Sequence, residues 1–176
     1  MNHREHVELL RGGVAAPAGI WADFGSGDGA FTLALRDLVG PAAEIYSIDK
    51  DRGRLAAQER AMRAHFSNSR LHYLHADLVK PLALPPLDGA VMANALHFFR
   101  DPVVVLKTVR AYLKPGAPLL LVEYNVDSGN LWVPHPLSFS TLSTLAPGAG
   151  FATPRLLHTV PSRFLHEIYS AACVRE

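Results

Sequence analysis

Residues 23–30 read DFGSGDGA. Glycines at 25 and 27 and the alanine at 30 fit the G-x-G-x-x-G/A fingerprint of a loop that holds a nucleotide-type cofactor. The loop follows a short apolar run, GIWADF (19–24), and precedes a segment with Phe31, Leu35 and Leu38 at helical spacing, so it joins a strand to a helix. Its glycines permit positive φ angles and close backbone approach, and the helix that follows offers unpaired N–H groups to a carboxylate or phosphate. Such a loop serves dinucleotides and other nucleoside cofactors alike, or simply turns the chain. Its neighbours must decide which.

Strand and helix signals alternate outward from the loop, the pattern of an α/β sheet covered on both faces. Further strands are expected at AEIYSI (43–48), RLHYLHA (70–76), GAVMANA (89–95) and PLLLVEY (118–124), and two more around 155–160 and 163–173. The join at 159–162 is short enough for a hairpin, which would set the last strand antiparallel to the others. Helices are expected over 2–11, with Val7, Leu10 and His6 on the apolar side, and over 29–38, 51–65 and 137–145. Asp101-Pro102 supplies an N-cap and a first-turn proline for another helix, which the Lys114-Pro115-Gly116 turn ends.

Composition narrows the function. The 176 residues, 49% of them hydrophobic, suffice for one well-buried core, so a single domain is expected over 1–176: lead-in helix 1–17, cofactor-binding core 18–124, and a closing loop, helix and strand pair 125–176. Seventeen basic and sixteen acidic residues are interspersed without runs, so no nucleic-acid partner is expected. No apolar run reaches the ~18 residues of a membrane helix, and the polar start MNHREHVELL is unlike a signal peptide, so a cytoplasmic protein is expected. The single cysteine, Cys173, lies among apolar neighbours and reads as buried. The pairs His3-x-x-His6 and His72-x-x-His75 lack a carboxylate or cysteine framework, so no metal is expected.

Three successive strands end in acids: Asp23, Asp49 and Asp77. Asp49, about 20 residues past the loop, is placed to accept hydrogen bonds from ribose hydroxyls. Asp77 is placed to accept from an adenine amino group, with Leu78 offering apolar contact. A rim of carboxylates suits a cofactor carrying an ammonium and a sulfonium and would repel a pyrophosphate.

On these residues the sequence resembles the class I S-adenosylmethionine-dependent methyltransferases, in their small-molecule "type 11" branch. The resemblance covers 20–124: WADFGSGDGAFTLAL, YSIDKD, LHADL, PPLDGAVMANALHFFRDP and VLKTVRAYLKPGAPLLLVEY, in that order. It implies a Rossmann-like three-layer sandwich whose seven-stranded, mostly parallel sheet has an antiparallel last strand. It also implies that Gly25, Ser26 and Gly27 line the methionine portion near Asp23, that Asp49 and the adjoining Lys50 serve the ribose side, that Asp77 and Leu78 serve the adenine, and that Asn94 lies below the methyl group. Two departures stand out: Ala117 replaces the second glycine of the usual Lys-Pro-Gly-Gly turn, and the segment after the third strand is short.

Methyl transfer asks mainly for alignment and water exclusion, with a base needed where the acceptor is a hydroxyl. His97, beyond the fourth strand, and Glu123, at the end of the fifth, are the candidate bases, with His135 and Tyr124 behind them. No Asn/Asp-Pro-Pro-Tyr motif follows the fourth strand and no Pro-Cys nucleophile exists, which directs the acceptor towards small molecules. Phe98, Phe99, Trp132 and Phe139 suggest that this acceptor is partly hydrophobic, though half or more of them are expected in the core. Two other readings compete: a non-catalytic cofactor-binding protein or scaffold, and a nicotinamide-dependent dehydrogenase. The second rests on Tyr46 and Lys50 at Tyr-x-x-x-Lys spacing, but across a strand end such residues stand more than ~10 Å apart along the chain.

Overall fold

A computed structural model describes residues 1–66 and 70–176. In its first helix, α1 (His3–Arg11), the Asn2 side chain accepts from Glu5 N–H while Glu5 returns the bond to Asn2 N–H. This reciprocal cap is worth about 1 kcal/mol at an otherwise unsatisfied helix end. Leu9 and Leu10 are its buried residues, and α1 lies along the second helix and reaches the last two strands. Its His6 ring lies 4.7 Å from Phe31, in the first turn of the helix that follows the glycine loop.

The remaining elements run β1 (Ile20–Phe24), α2 (Ala30–Val39), β2 (Glu44–Asp49), α3 (Arg52–His65), β3 (Leu71–His75), β4 (Gly89–Ala93), α4 (Pro102–Tyr112), β5 (Pro118–Tyr124), α5 (Phe139–Leu145), β6 (Arg155–Ser162) and β7 (His166–Val174). Short 3-10 turns occupy Leu96–Phe98 and Pro147–Ala149. The sheet has seven strands in the order β3-β2-β1-β4-β5-β7-β6, and β7 runs antiparallel to both of its neighbours. The order reverses between β1 and β4, which are adjacent although β2 and β3 lie between them in sequence. That crevice is where open α/β sheets take ligands.

Alternation along the strands divides the core in two. Phe24, Ile48, Met92, Leu121 and Tyr169 face a cluster that includes Val105, Leu106 and Val109 of α4 and Leu142 of α5. Trp21, Ile45, Val91, Leu120 and Ile168 face the other, with Leu9 and Leu10 of α1 and Phe31, Ala34, Leu35 and Val39 of α2. The third helix shares that second face, since its Gln58 bonds Ser47, which points to the same side of β2 as Ile45. Helices thus cover both sides, giving the expected three layers.

Two details differ from the sequence reading. The hairpin turns at 163–165, not 159–162, because Val160 is buried and Pro161 is tolerated in β6, an edge strand paired on one side only. Ser162 Oγ accepts from Phe164 and Leu165 N–H at 3.2 and 3.4 Å and closes that turn. And β4 stops at Ala93, because Asn94 takes a left-handed φ of +50° and bends the chain away from the sheet. Cys173 is fully buried as expected, and burial pushes its thiol up to about 12.

Candidate active site

The glycine loop leaves β1 with Gly25, Gly27 and Gly29 all at positive φ. A Cβ on Gly25 would lie 2.7 Å from Ala95 Cβ, and one on Gly29 2.4 Å from Gln58 Cγ, so side chains are excluded by space as well as by conformation. The loop's own N–H groups are already engaged: Gly25 and Ser26 donate to Ile48 O and Gly27 to Asp49 Oδ2 at 2.8 Å. What it offers a ligand is therefore shape and the N-terminus of α2, whose N-cap Gly29 provides no side-chain cap.

A polar network props the loop from below. Ser47 Oγ lies 2.7 Å from Ser26 Oγ and 2.9 Å from Gln58 Oε1. All three residues are buried, and Gln58 Nε2 has no partner among the described residues. The sequence reading had Ser26 but missed Ser47 and Gln58. Their signal was present: Ser47 interrupts the apolar strand EIYSID, and Gln58 stands on the stripe Leu55–Gln58–Met62 that α3 buries.

Asp23 is 1% exposed, and Thr32 Oγ1 donates to its Oδ2 at 2.6 Å. Its Oδ1 is buried without a partner among the described residues. Burial raises its pKa to about 7, against the Thr32 hydrogen bond, and the nearby Asp49 pushes it further in the same direction. Asn94 Oδ1, just past the end of the adjacent strand, is likewise buried and has no partner among the described residues. Two acceptor oxygens without donors at the switch point are costly, at ~1–3 kcal/mol each, unless a ligand brings donors.

Asp49 binds Gly27 N–H through one oxygen and Asp51 N–H at 2.8 Å through the other. Asp51 itself caps α3, accepting from Gly53 and Arg54 N–H. Lys50 is exposed, and its carbonyl accepts from His75 Nε2 at 3.0 Å. At the end of β3, Asp77 is half-buried and accepts from Val79 N–H, whereas Leu78 belongs to the core. The Tyr46 ring stacks on His72 at 4.6 Å and its hydroxyl donates to Glu44, so it has structural partners of its own away from Lys50. Among the described residues no group of three or more His, Cys, Asp or Glu side chains is arranged for a metal.

Beyond β4 the 3-10 turn carries His97, 3% exposed, against Glu123, 0% exposed, at the end of β5. Glu123 Oε2 lies 2.8 Å from His97 Nδ1, and its Oε1 accepts from His97 N–H at 3.1 Å. A carboxylate accepts only, so Nδ1 carries a proton, and in the neutral ring Nε2 is the nitrogen that can accept one. His97 also holds the following loop, its carbonyl accepting from His135 N–H at 3.0 Å. The His135 ring is exposed, while Tyr124 sits with its ring 6.0 Å from His97. Of the four apolar rings suggested for an acceptor, Phe99 and Phe139 pack on the core, and Phe98 and Trp132 are exposed.

A parallel sheet reversed at β1/β4, an antiparallel β7, and an acidic cradle at the strand ends together define a cofactor-binding fold of the class I methyltransferase type. Residues 22–119, more than half of the chain, match the family described as "Methyltransferase domain", and the chain belongs to that family. It is 32% identical over 124 residues to acetylserotonin O-methyltransferase of Mus musculus, covering 65% of this chain but 30% of the mouse protein. The chain thus spans less than a third of that curated relative. Among solved structures, the YcgJ protein of Bacillus subtilis superposes with a TM-score of 0.80 at 11% identity over 99% of both chains. A SAM-dependent methyltransferase from Aquifex aeolicus gives 0.75 at 17% identity over 100% of both. At such identities the likeness is one of fold.

Proposed function

We propose that the protein binds S-adenosyl-L-methionine in the cradle of Gly25, Ser26, Gly27, Asp23, Asp49, Asp77 and Asn94 and methylates a hydroxyl group of a small-molecule acceptor. The observation that carries this is the pair of buried oxygens without a donor among the described residues, Asp23 Oδ1 and Asn94 Oδ1, beside a second acid, Asp49. An ammonium brings the donors that such oxygens lack, and a neighbouring sulfonium adds positive charge, whereas a pyrophosphate brings neither. When bound, the cofactor supplies an electrophilic methyl group on a good leaving group.

The chain's own residues do the rest. The open first turn of α2 suits the amino-acid carboxylate. Each Asp49 oxygen already holds one backbone N–H and has a lone pair left for a ribose hydroxyl. Gly25 against Ala95 presses the loop onto the end of β4, close to where Asn94 turns out and two residues before His97. His97, with Nδ1 fixed by Glu123, presents Nε2 as a proton acceptor, the arrangement that general-base catalysis requires. A base of this kind serves a hydroxyl, whose proton must leave as the new bond forms.

Calorimetric titration separates the readings. S-adenosylmethionine is expected to bind and NADH to give no heat, with Asp49→Ala weakening the former about 10- to 100-fold, on the order of two or three lost hydrogen bonds. Binding of NADH in its place would favour a dehydrogenase. Tight cofactor binding whose affinity and acceptor turnover were both untouched by His97→Ala would leave His97–Glu123 a structural staple, a role that its three accepted backbone and ring hydrogen bonds also fit.

A further inference from the structure

Four aromatic rings run in contact across the strand ends next to the His97–Glu123 pair. Phe98 lies 4.3 Å from His97, His97 6.0 Å from Tyr124, and Tyr124 5.9 Å from Phe164 in an edge-on arrangement. They come from three separate places: the turn after β4, the end of β5, and the tip of the β6–β7 hairpin. Because β7 is antiparallel, its beginning falls beside the end of β5, with Tyr124 opposite Ile168, and the hairpin tip is thereby carried to the reactive edge of the sheet. The two outer rings are large, apolar and uncovered, Phe98 at 58% and Phe164 at 49% exposure. The tip that holds Phe164 is braced rather than loose: Ser162 Oγ accepts two of its N–H groups, and Asn125, which follows Tyr124, donates its N–H to Glu167 O at 2.9 Å.

We propose that this strip is the acceptor subsite and that it selects a planar aromatic hydroxyl compound, with Phe164 of the hairpin tip as a specificity-determining residue. The inference rests on the hydroxyl-methylating reading above and deepens it. Aromatic side chains prefer the faces and edges of other rings, a preference that a saturated ligand of equal size does not satisfy. The chemistry agrees with the geometry. A phenolic hydroxyl ionises near pH 10, within reach of a side-chain base, whereas an aliphatic hydroxyl gives up its proton about as reluctantly as water. In the step itself the acceptor hydroxyl yields its proton to His97 Nε2, its oxygen bonds the methyl carbon, and the cofactor's sulfur keeps the electron pair of the bond that breaks.

The test uses the full chain loaded with S-adenosylhomocysteine and titrated with 2-naphthol or its saturated counterpart decahydro-2-naphthol. Wild type is expected to bind 2-naphthol roughly tenfold more tightly than the saturated alcohol, as one to two ring contacts would give. Phe164→Ala and Phe164→Leu should both erase most of that preference, the leucine variant keeping bulk without the ring, while S-adenosylhomocysteine affinity stays as in wild type. Equal binding of the two alcohols, binding of neither, or a preference unchanged in both variants would overturn the aromatic subsite while leaving the cofactor reading intact. Failure of S-adenosylhomocysteine itself to bind would instead bring down the proposed function on which the inference stands.

Discussion

Two buried carboxylates end neighbouring parts of the same sheet, and they are opposites. Asp23, at the end of β1, has one hydroxyl donor and an oxygen with no partner among the described residues. Glu123, at the end of β5, accepts from His97 N–H, His97 Nδ1 and Tyr124 N–H. One acid is held ready for something the chain does not supply, and the other is fully committed to orienting a histidine. A buried polar group left half-satisfied costs stability, so its persistence at the switch point indicates a ligand, while a fully satisfied one indicates preorganisation. On the proposed reading, the β1 side of the crevice serves binding and the β4–β5 side serves chemistry.

The contrast can be broken by substitution, most strongly on the chemical side. Glu123→Gln should lower acceptor turnover by about 10²-fold or more and His97→Ala by 10²–10⁴-fold, the usual range for a lost general base. Cofactor affinity should change little in either, a split that single-turnover assays with labelled methyl groups would reveal. Turnover untouched by both would dissolve the distinction between the two acids.

On the binding side the sign is reversed for stability. Asp23 holds its proton to about pH 7 when folded but releases it near 4 when unfolded. Between these values the native state binds the extra proton, so native stability falls as pH rises through the window and is flat above it. Asp23→Asn should therefore stabilise the ligand-free protein at pH 8 by on the order of 1–3 kcal/mol, seen as a higher melting temperature, while weakening cofactor binding. A variant less stable at pH 8 than wild type would show that Asp23 is not a strained acid.

Smaller effects test the supports. Gly29→Ala meets Gln58 and a φ of +87°, and is expected to cost about 1–3 kcal/mol in denaturant unfolding. Tyr46→Phe removes only a hydroxyl bond to the partly exposed Glu44, and should change stability by less than about 1 kcal/mol and turnover not at all. Loss of activity in that variant would reopen the Tyr-x-x-x-Lys reading.

Much of this was legible in the sequence, for a physical reason. Strands that are apolar and bounded by turn residues declare themselves locally, and in a parallel sheet the residue at each carboxyl end is brought to one edge whatever the side-chain packing. Asp23, Asp49, Asp77, Asn94, His97 and Glu123 could thus be picked out as strand-end residues. Thr32, Ser47 and Gln58 could not be joined to them, since three different elements must dock before their side chains meet. Phe164 was hidden for a further reason: only the antiparallel insertion of β7 beside β5 brings the hairpin tip to the end of β5, and the turn itself lies later than the join expected at 159–162.

The central claim is that Asp23 awaits a cationic ligand, and proton release on binding measures it directly. S-adenosylmethionine titrated at pH 6.5 in two buffers of different ionisation enthalpy should show a proton leaving the complex, with affinity rising towards pH 8 and no linkage in Asp23→Asn. Binding without proton release in wild type, or with the same release in Asp23→Asn, would contradict it.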